Sequence, residues 1–301
     1  MKLGMIGLGR MGANMAQRLA RQDHQVIGFD FNPEARKQAQ TENIATADSL
    51  EATIGMLETP KIVWLMIPTG KPVEETIKTL IPLLDAGDIV IDGGNSNYKD
   101  TLRRAELLQQ SGIHYVDCGT SGGVWGLAEG YSMMVGGAED VVATLRPLFE
   151  TVAPGPNKGW GRVGPVGSGH FVKMIHNGIE YGMMQAYAEG FSVLHHKQEF
   201  DLDLHAVAEI WREGSVVRSW LLDLISSALH EHPGMGGIAP WVDDSGEGRW
   251  TVAEAIDLDV PAPVITLALI ERLRSRDKDS FSDKLLAAMR QQFGGHAIRK
   301  E

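Results

Sequence analysis

The sequence predicts an α/β N-terminal domain built on a parallel, doubly wound sheet, followed by an all-α helical domain. Three observations predict it. Short apolar runs alternate with amphipathic segments through the first half of the 301 residues, the pattern of strand–helix units. A Gly- and Pro-rich stretch, Ala153–Gly169, then interrupts that pattern. From His170 onward apolar residues recur at helical spacing for nearly the whole remainder. The division is placed at 1–164 and 165–301.

The elements follow in order. Lys2–Gly7 is a short apolar strand and Ala13–Arg21 an amphipathic helix. His24–Asp30 is the next strand, and Pro33 opens a helix at a favoured first-turn position. Ile62–Ile67, Asp88–Asp92 and Gly112–Asp117 are further strands, separated by helices at Val73–Leu84 and Lys99–Gln110. Tyr131–Val135 is one more strand, followed by a helix over Ala138–Phe149. In the second part a long helix runs from His170 to about Lys197. Others are expected at Leu204–Arg212, Val216–Leu229, Thr251–Leu258, Val264–Arg274 and Phe281–Gln292.

Composition excludes several classes of function. Lys plus Arg number 28 and Asp plus Glu 39, so the formal charge is −11. A net negative surface repels nucleic-acid backbones and anionic lipid. The single cysteine, Cys118, allows no intrachain disulfide and no CxxC metal or redox motif. The first twelve residues are too Gly-rich for a signal-peptide core, and no apolar run approaches the roughly 20 residues of a membrane span. A cytoplasmic enzyme that contacts neither nucleic acid nor membrane is expected.

Gly7-Leu8-Gly9-Arg10-Met11-Gly12 is a G-x-G-x-x-G run between a strand and a helix. The first Gly permits the tight turn, the second lets a pyrophosphate approach the backbone, and the third lets the helix pack on the sheet. The helix N-terminus adds N–H groups and a positive dipole end. In this context the loop marks a Rossmann-type dinucleotide site. Asp30 ends the second strand about 20 residues on, where a carboxylate accepts from ribose hydroxyls and repels a 2′-phosphate. Phe31 and Asn32 add no cation. NAD is therefore the expected cofactor, with NADP second. The competing role for Asp30 is a helix cap before Pro33.

The second candidate is a polar stripe on the long helix. Lys173, His176, Asn177, Glu180 and Tyr181 stand at i, i+3, i+4, i+7 and i+8, which share one helical face. Phe171, Val172, Met174, Ile175 and Ile179 are apolar. A Lys and a Glu on a largely buried helix are costly without partners. The alternative is a solvated Glu–Lys face, for which His, Asn, Gly178 and Gly182 are poor choices. A partly desolvated Lys has a lowered pKa and serves as a general base near neutral pH. Glu180 then supplies a second proton, which suits a reaction of more than one step.

Two loops face the same crevice beyond the carboxyl ends of their strands. Asn95 follows the strand ending at Asp92, and Ser121 with Gly122 and Gly123 follows the strand through Cys118. Paired glycines offer unobstructed backbone N–H groups to a carboxylate.

Taken together these residues resemble the 6-phosphogluconate dehydrogenases, within the β-hydroxyacid dehydrogenase superfamily. The Gly7–Gly12 loop and the G-x-x-G-x-G-x-x-x-K-x-x-x-N run from Gly164 to Asn177 signal the superfamily. Ile91-Asp-Gly-Gly-Asn-Ser-Asn-Tyr98, Ser121-Gly-Gly123 and His176-Asn-Gly-Ile-Glu-Tyr181 carry the narrower likeness. The chain resembles the short form, which lacks a second helical bundle.

The resemblance implies oxidative decarboxylation of 6-phosphogluconate to ribulose 5-phosphate. Lys173 would take the C3 hydroxyl proton as hydride leaves C3, and after CO2 is lost Glu180 would protonate C1 of the ribulose 5-phosphate being formed. No metal is implied. Asn95, Ser121, Gly122, Gly123, His176 and Asn177 would contact the carboxylate and hydroxyl end of the substrate. Tyr181 and Arg272 would meet the phosphate. Ile67, Pro68, Thr69 and Asn95 would border the cofactor. Arg290 and His296, in a tail motif, would reach a neighbouring subunit's site in a dimeric or tetrameric homo-oligomer. Their competing reading is an amphipathic terminal helix with a frayed end. One departure stands out: the long form's phosphate-binding Lys falls near Pro240, where this chain has Trp241 followed by Val242, Asp243 and Asp244. His195, His196, His230 and His232 are expected to be ordinary exposed histidines. Two other functions fit parts of the pattern. One is a dehydrogenase for an unphosphorylated acid such as 3-hydroxyisobutyrate, which has no use for Glu180. The other is a non-catalytic NAD(H) sensor, which has no use for the paired acid and base.

Overall fold

The computed structural model describes residues 1–294 and 297–299. Its contacts divide the chain into two compact units, Met1–Asn177 and Gly178–Glu301.

In the first unit the elements run Lys2–Ile6 (β1), Arg10–Ala20 (α1), Gln25–Phe29 (β2), Pro33–Thr41 (α2), Ala45–Thr46 (β3), Leu50–Gly55 (α3), Ile62–Leu65 (β4) and Lys71–Leu80 (α4). They continue with Ile89–Asp92 (β5), Tyr98–Gln109 (α5), His114–Ser121 (β6), Gly126–Glu129 (α6), Ser132–Gly136 (β7), Glu139–Val152 (α7) and Trp160–Gly164 (β8). The strands form one sheet in the order β3-β2-β1-β4-β5-β6-β7-β8. Its central strands are buried on both faces. Leu3 and Met5 of β1, Trp64 of β4, and Ile89 and Ile91 of β5 join one apolar cluster. Ile6, Val63, Leu65 and Val90 join the other. Burial on both sides explains why these strands read as continuous apolar runs.

The sheet departs from the all-parallel expectation at one pair. β7 runs antiparallel to β6, with Thr120 opposite Met133. The link between them spans only residues 122–131, shorter than a parallel crossover requires. β8 then pairs parallel with β7. It lies in the stretch expected to be a boundary. Its sequence WGRVG has no apolar alternation because it forms a partly exposed edge. The two-residue β3 and the short α3 also escaped the periodicity. The signal for α3 is its cap: Ser49 Oγ accepts from the Ala52 N–H at 3.0 Å.

The second unit is helical. Ser168–His196 (α8) begins in the first unit and ends in the second. Leu204–Arg212 (α9), Trp220–Glu231 (α10), Glu247–Asp257 (α11), Pro263–Arg274 (α12) and Phe281–Gly294 (α13) follow. α10 starts four residues later than its apolar spacing predicts. Ser219 caps it, accepting from the Leu222 N–H, and leaves Val216 and Val217 outside. A small core gathers Phe191, Ala208, Leu222 and Leu229. Many apolar side chains of this unit stay exposed, among them Ile210, Ile256, Val264 and Phe281.

Candidate active site

In the first unit, parallel pairing puts the carboxyl ends of β1, β2, β4, β5 and β6 on one edge of the sheet. Every strand-end loop expected to bind therefore opens on that edge. The glycine loop follows β1. Gly7 has φ +96°, and a Cβ there would lie 2.4 Å from the Met66 carbonyl oxygen. A Cβ on Gly12 would fall 2.0 Å from the Gly7 carbonyl oxygen. A Cβ on Gly9, the cap residue of α1, would meet nothing within 4 Å. Packing within the protein therefore explains Gly7 and Gly12, while Gly9 faces open space. α1 begins at Arg10, and no side chain caps it. Its first-turn N–H groups are thus free to hold an anion, and the loop fits a dinucleotide pyrophosphate. Leu8 is buried, Met11 half-buried, and Arg10 exposed.

Asp30 lies one residue past β2. Its carboxylate accepts from the Leu8 N–H at 2.8 Å and the Asn32 N–H at 2.8 Å. The cap of α2 is Asn32, which accepts from the Glu34 N–H. Asp30 instead ties the end of β2 to the glycine loop. The Arg36 guanidinium donates to the Asp30 carbonyl oxygen at 2.6 Å, so a cation does stand at the end of β2. After β4, Ile67 is half-buried while Pro68 and Thr69 are exposed.

The loop after β5 is pinned from below. Asp92 is fully buried, and its Oδ2 accepts from Ser96 Oγ at 2.7 Å and Tyr115 OH at 2.9 Å. Burial, then the neighbouring Asp92 charge, pushes the Tyr115 phenol well above its ordinary pKa. Asn95 is exposed at the crest of this loop. Ser121 ends β6 and is half-buried. Gly122 and Gly123 have φ +138° and +51°, conformations that favour glycine. Burial pushes the Cys118 thiol up to about 12, which leaves it protonated at neutral pH.

α8 is seated on the sheet by its first turn. The Asp117 carboxylate, fully buried in β6, accepts from the Gly167 N–H at 2.7 Å and the His170 N–H at 2.8 Å. Glycines allow the close approach: a Cβ on Gly119 would lie 2.3 Å from Lys173 Cβ, and one on Gly169 2.5 Å from the Met134 carbonyl oxygen. Lys173 therefore rests directly on β6 and is only 5% exposed. Its Nζ lies 3.4 Å from His176 Nδ1, which is 3.0 Å from Asn177 Oδ1. A proton on Nδ1 makes the bond to Asn177; its absence makes the bond from Lys173. The structure thus gathers Lys173, His176 and Asn177 around one imidazole nitrogen. Asp117 and Asp92, which position this group and the Asn95 loop, were missed. Both are acidic residues within apolar strands, an anomaly that could have exposed them.

The second unit holds the other half of the stripe. Glu180 is half-buried on α8, and the Tyr181 side chain is buried. Tyr181 OH accepts from the Ser245 N–H at 3.2 Å. The Arg272 guanidinium carbon sits 3.5 Å from the Tyr181 ring centroid, a cation–π contact, and its Nη1 donates to the Asp243 carbonyl oxygen at 2.8 Å. Tyr181 and Arg272 are therefore neighbours. Trp241 is exposed, its Nε1 donating to Asp243 Oδ1 at 3.0 Å. Asp244 pairs with Arg249 and Arg276, each at 2.9 Å, and these bonds, Arg249 first, hold its carboxyl below the usual range. Asp244 is thus neutralised in place. Arg290 is exposed on α13, and His296 lies outside the described residues. His195, His196, His230 and His232 are exposed. Among the described residues no group of three or more His, Cys, Asp or Glu could hold a metal ion, and no helix is long and apolar enough to cross a membrane.

Residues 2–163 match the NAD binding domain of 6-phosphogluconate dehydrogenase, and residues 169–299 match the C-terminal domain of the same enzyme. The chain belongs to the 6-phosphogluconate dehydrogenase family. One relative is the NAD(+)-dependent, decarboxylating 6-phosphogluconate dehydrogenase of Haloferax volcanii. It is 44% identical over 302 residues, covering 100% of this chain and 99% of the relative. The Plasmodium falciparum 6-phosphogluconate dehydrogenase, solved with NADP+ and with 6-phosphogluconate, superposes with a TM-score of 0.84 at 28% identity. That match covers 100% of this chain and 66% of the longer one. The Mycobacterium tuberculosis 3-hydroxyisobutyrate dehydrogenase shares the fold, with a TM-score of 0.69 at 24% identity over 89% of this chain and 90% of its own.

Proposed function

We propose that this 6-phosphogluconate dehydrogenase family member converts 6-phospho-D-gluconate to D-ribulose 5-phosphate and CO2, with NAD preferred over NADP. The observation that carries the reading is the enclosed Lys173 amine, seated on Gly119 at the sheet edge that also bears the glycine loop. When bound, the nicotinamide supplies the hydride acceptor. Lys173 takes the proton of the C3 hydroxyl, and the buried site limits competition from water. The resulting β-keto acid loses CO2 because its ketone accepts the electron pair. Protonated Lys173 then stabilises the developing enediolate oxygen. Glu180, two turns along α8, donates the proton to the carbon that lost CO2, which becomes C1 of ribulose 5-phosphate. His176 and Asn177 hold the hydroxyl region, and Asn95 with the Ser121–Gly123 turn holds the carboxylate. Arg272, stacked on Tyr181, offers a planar donor fork to the phosphate. Asp30 reads the ribose.

The reading extends to the cell and the assembly. The enzyme works in the cytoplasm as a homo-oligomer, with Arg290 and His296 completing a neighbour's site. The exposed apolar residues of the helical unit support association. The test is to follow NADH and CO2 together with 6-phosphogluconate, once with NAD and once with NADP. Equimolar CO2 and NADH, with NAD the better cofactor, is the expected result. CO2-free oxidation of 3-hydroxyisobutyrate with no turnover of 6-phosphogluconate would overturn the reading.

A further inference from the structure

A buried polar network in the first unit is not used by the chemistry above. At its centre is Arg104 of α5, whose side chain is fully buried. Its Nε donates to Glu74 Oε1 at 2.7 Å, and its Nη1 to Ser96 Oγ at 2.9 Å and Asp92 Oδ2 at 3.4 Å. Its Nη2 reaches the Gly70 carbonyl oxygen at 3.5 Å. One guanidinium therefore touches the end of the Ile67–Gly70 loop, the start of α4 and the base of the loop that carries Asn95. The network reaches α8 as well. His170 is 1% exposed, its Nε2 lies 3.1 Å from the Asp92 carbonyl oxygen, and its Nδ1 lies 2.7 Å from Thr101 Oγ1. With Nε2 protonated, both bonds are satisfied by the neutral ring. His170 precedes Lys173 by three residues on the same helix.

Burying an arginine is expensive, and Arg104 lies in a core where an apolar side chain would fill the same volume. What an apolar residue lacks is the planar fork that fixes two loops and the start of α4 at once. We propose that Arg104 is a positioning residue for the oxidation, holding the Asn95 loop and the Ile67–Gly70 loop in register with the Lys173 turn of α8. Ser96 is its contact to the Asn95 loop, and His170 with Asp92 is its link to α8. The proposal rests on the reading that Asn95 and Lys173 act in the reaction.

The test uses the full-length protein and four variants: Arg104→Lys, Arg104→Gln, Ser96→Ala and Lys173→Ala. Steady-state kcat and KM, NADH binding by fluorescence, and thermal midpoints are measured for each. The expected result for Ser96→Ala is a loss of about tenfold in kcat, with NADH affinity within about threefold of the parent and a nearly unchanged midpoint. Arg104→Lys is expected to keep more kcat than Arg104→Gln, since it retains the charge without the fork. If Arg104→Gln does not fold, Ser96→Ala and Arg104→Lys still decide. Folded variants with kcat within about twofold of the parent, and only a lowered midpoint, would reduce Arg104 to a structural role. Lys173→Ala separates the two claims. Should it lose turnover while Ser96→Ala and Arg104→Lys keep theirs, the positioning proposal alone fails. If the parent instead oxidises an unphosphorylated hydroxy acid, the substrate reading fails, and the same variants assayed on that acid still test Arg104.

Discussion

Lys173 is enclosed because backbone comes close to it. Gly119 offers it no side chain, and the amine sits within reach of one imidazole nitrogen. Removing the amine should leave the glycine loop intact. Lys173→Ala is expected to lower turnover by on the order of 10²–10⁴-fold, while NADH fluorescence titration gives an unchanged affinity. Near-normal turnover would remove Lys173 from the mechanism. At the other end of the site, Asp30 holds Leu8 and stands beside Arg36. Asp30→Ala removes a charge that repels a 2′-phosphate and leaves that cation in place. The NAD to NADP ratio of kcat/KM should fall by about tenfold or more. Adding Arg36→Ala should cancel part of the NADP gain. A ratio that stays put in Asp30→Ala would show that another group reads the ribose.

Elements of this fold are joined by carboxylates in strands and helices, and each can be tested through its element. Asp117 caps α8, and Gly119 lets α8 approach β6. Gly119→Ala would place a methyl 2.3 Å from Lys173 Cβ, so the helix turn must shift. Overpacking of this kind costs about 1–3 kcal/mol. The thermal midpoint and kcat should therefore fall together. A full midpoint and full kcat would mean that the contact relaxes elsewhere. α4 and α5 are joined by Glu74, whose carboxyl is held down to about 2 by hydrogen bonds from Arg103 and then Arg104. Its pKa is depressed in the folded state. The stability it contributes is present above its ordinary value near 4.5 and is lost as pH falls toward 2. Thermal midpoints measured from pH 6 to pH 2 should fall with acid. Glu74→Gln should have a lower midpoint at pH 6 and a shallower acid slope. Parallel slopes for the two proteins would assign the acid transition to other carboxylates.

At the scale of the molecule, what was legible in the sequence was what repeats or recurs at fixed spacing. The apolar runs of β1, β4 and β5, the glycine loop and the stripe on α8 all obey a period or a motif. The antiparallel turn into β7 was not legible, because direction is set by the length of a link rather than by the strand's own residues. β8 was hidden because an exposed edge needs no apolar face. Arg104 was hidden because an arginine on an amphipathic helix looks solvated until its partners on α4 and on the Asn95 loop are known. The helical unit poses the remaining question. Its core is small, and Ile256, Val264 and Phe281 are exposed. The homo-oligomer proposed above would cover such a surface. If Arg290 serves a neighbour's site, two inactive proteins should repair each other. Lys173→Ala and Arg290→Ala homo-oligomers are each expected to be nearly silent. In a dimer, random mixing puts half of the molecules in hybrids, and each hybrid has one site with both residues intact. Co-refolded or co-expressed mixtures should then recover about a quarter of parental activity. Light scattering on the same samples tests whether the assembly is a dimer. A mixture no more active than its components would place Arg290 in its own subunit's site or in none.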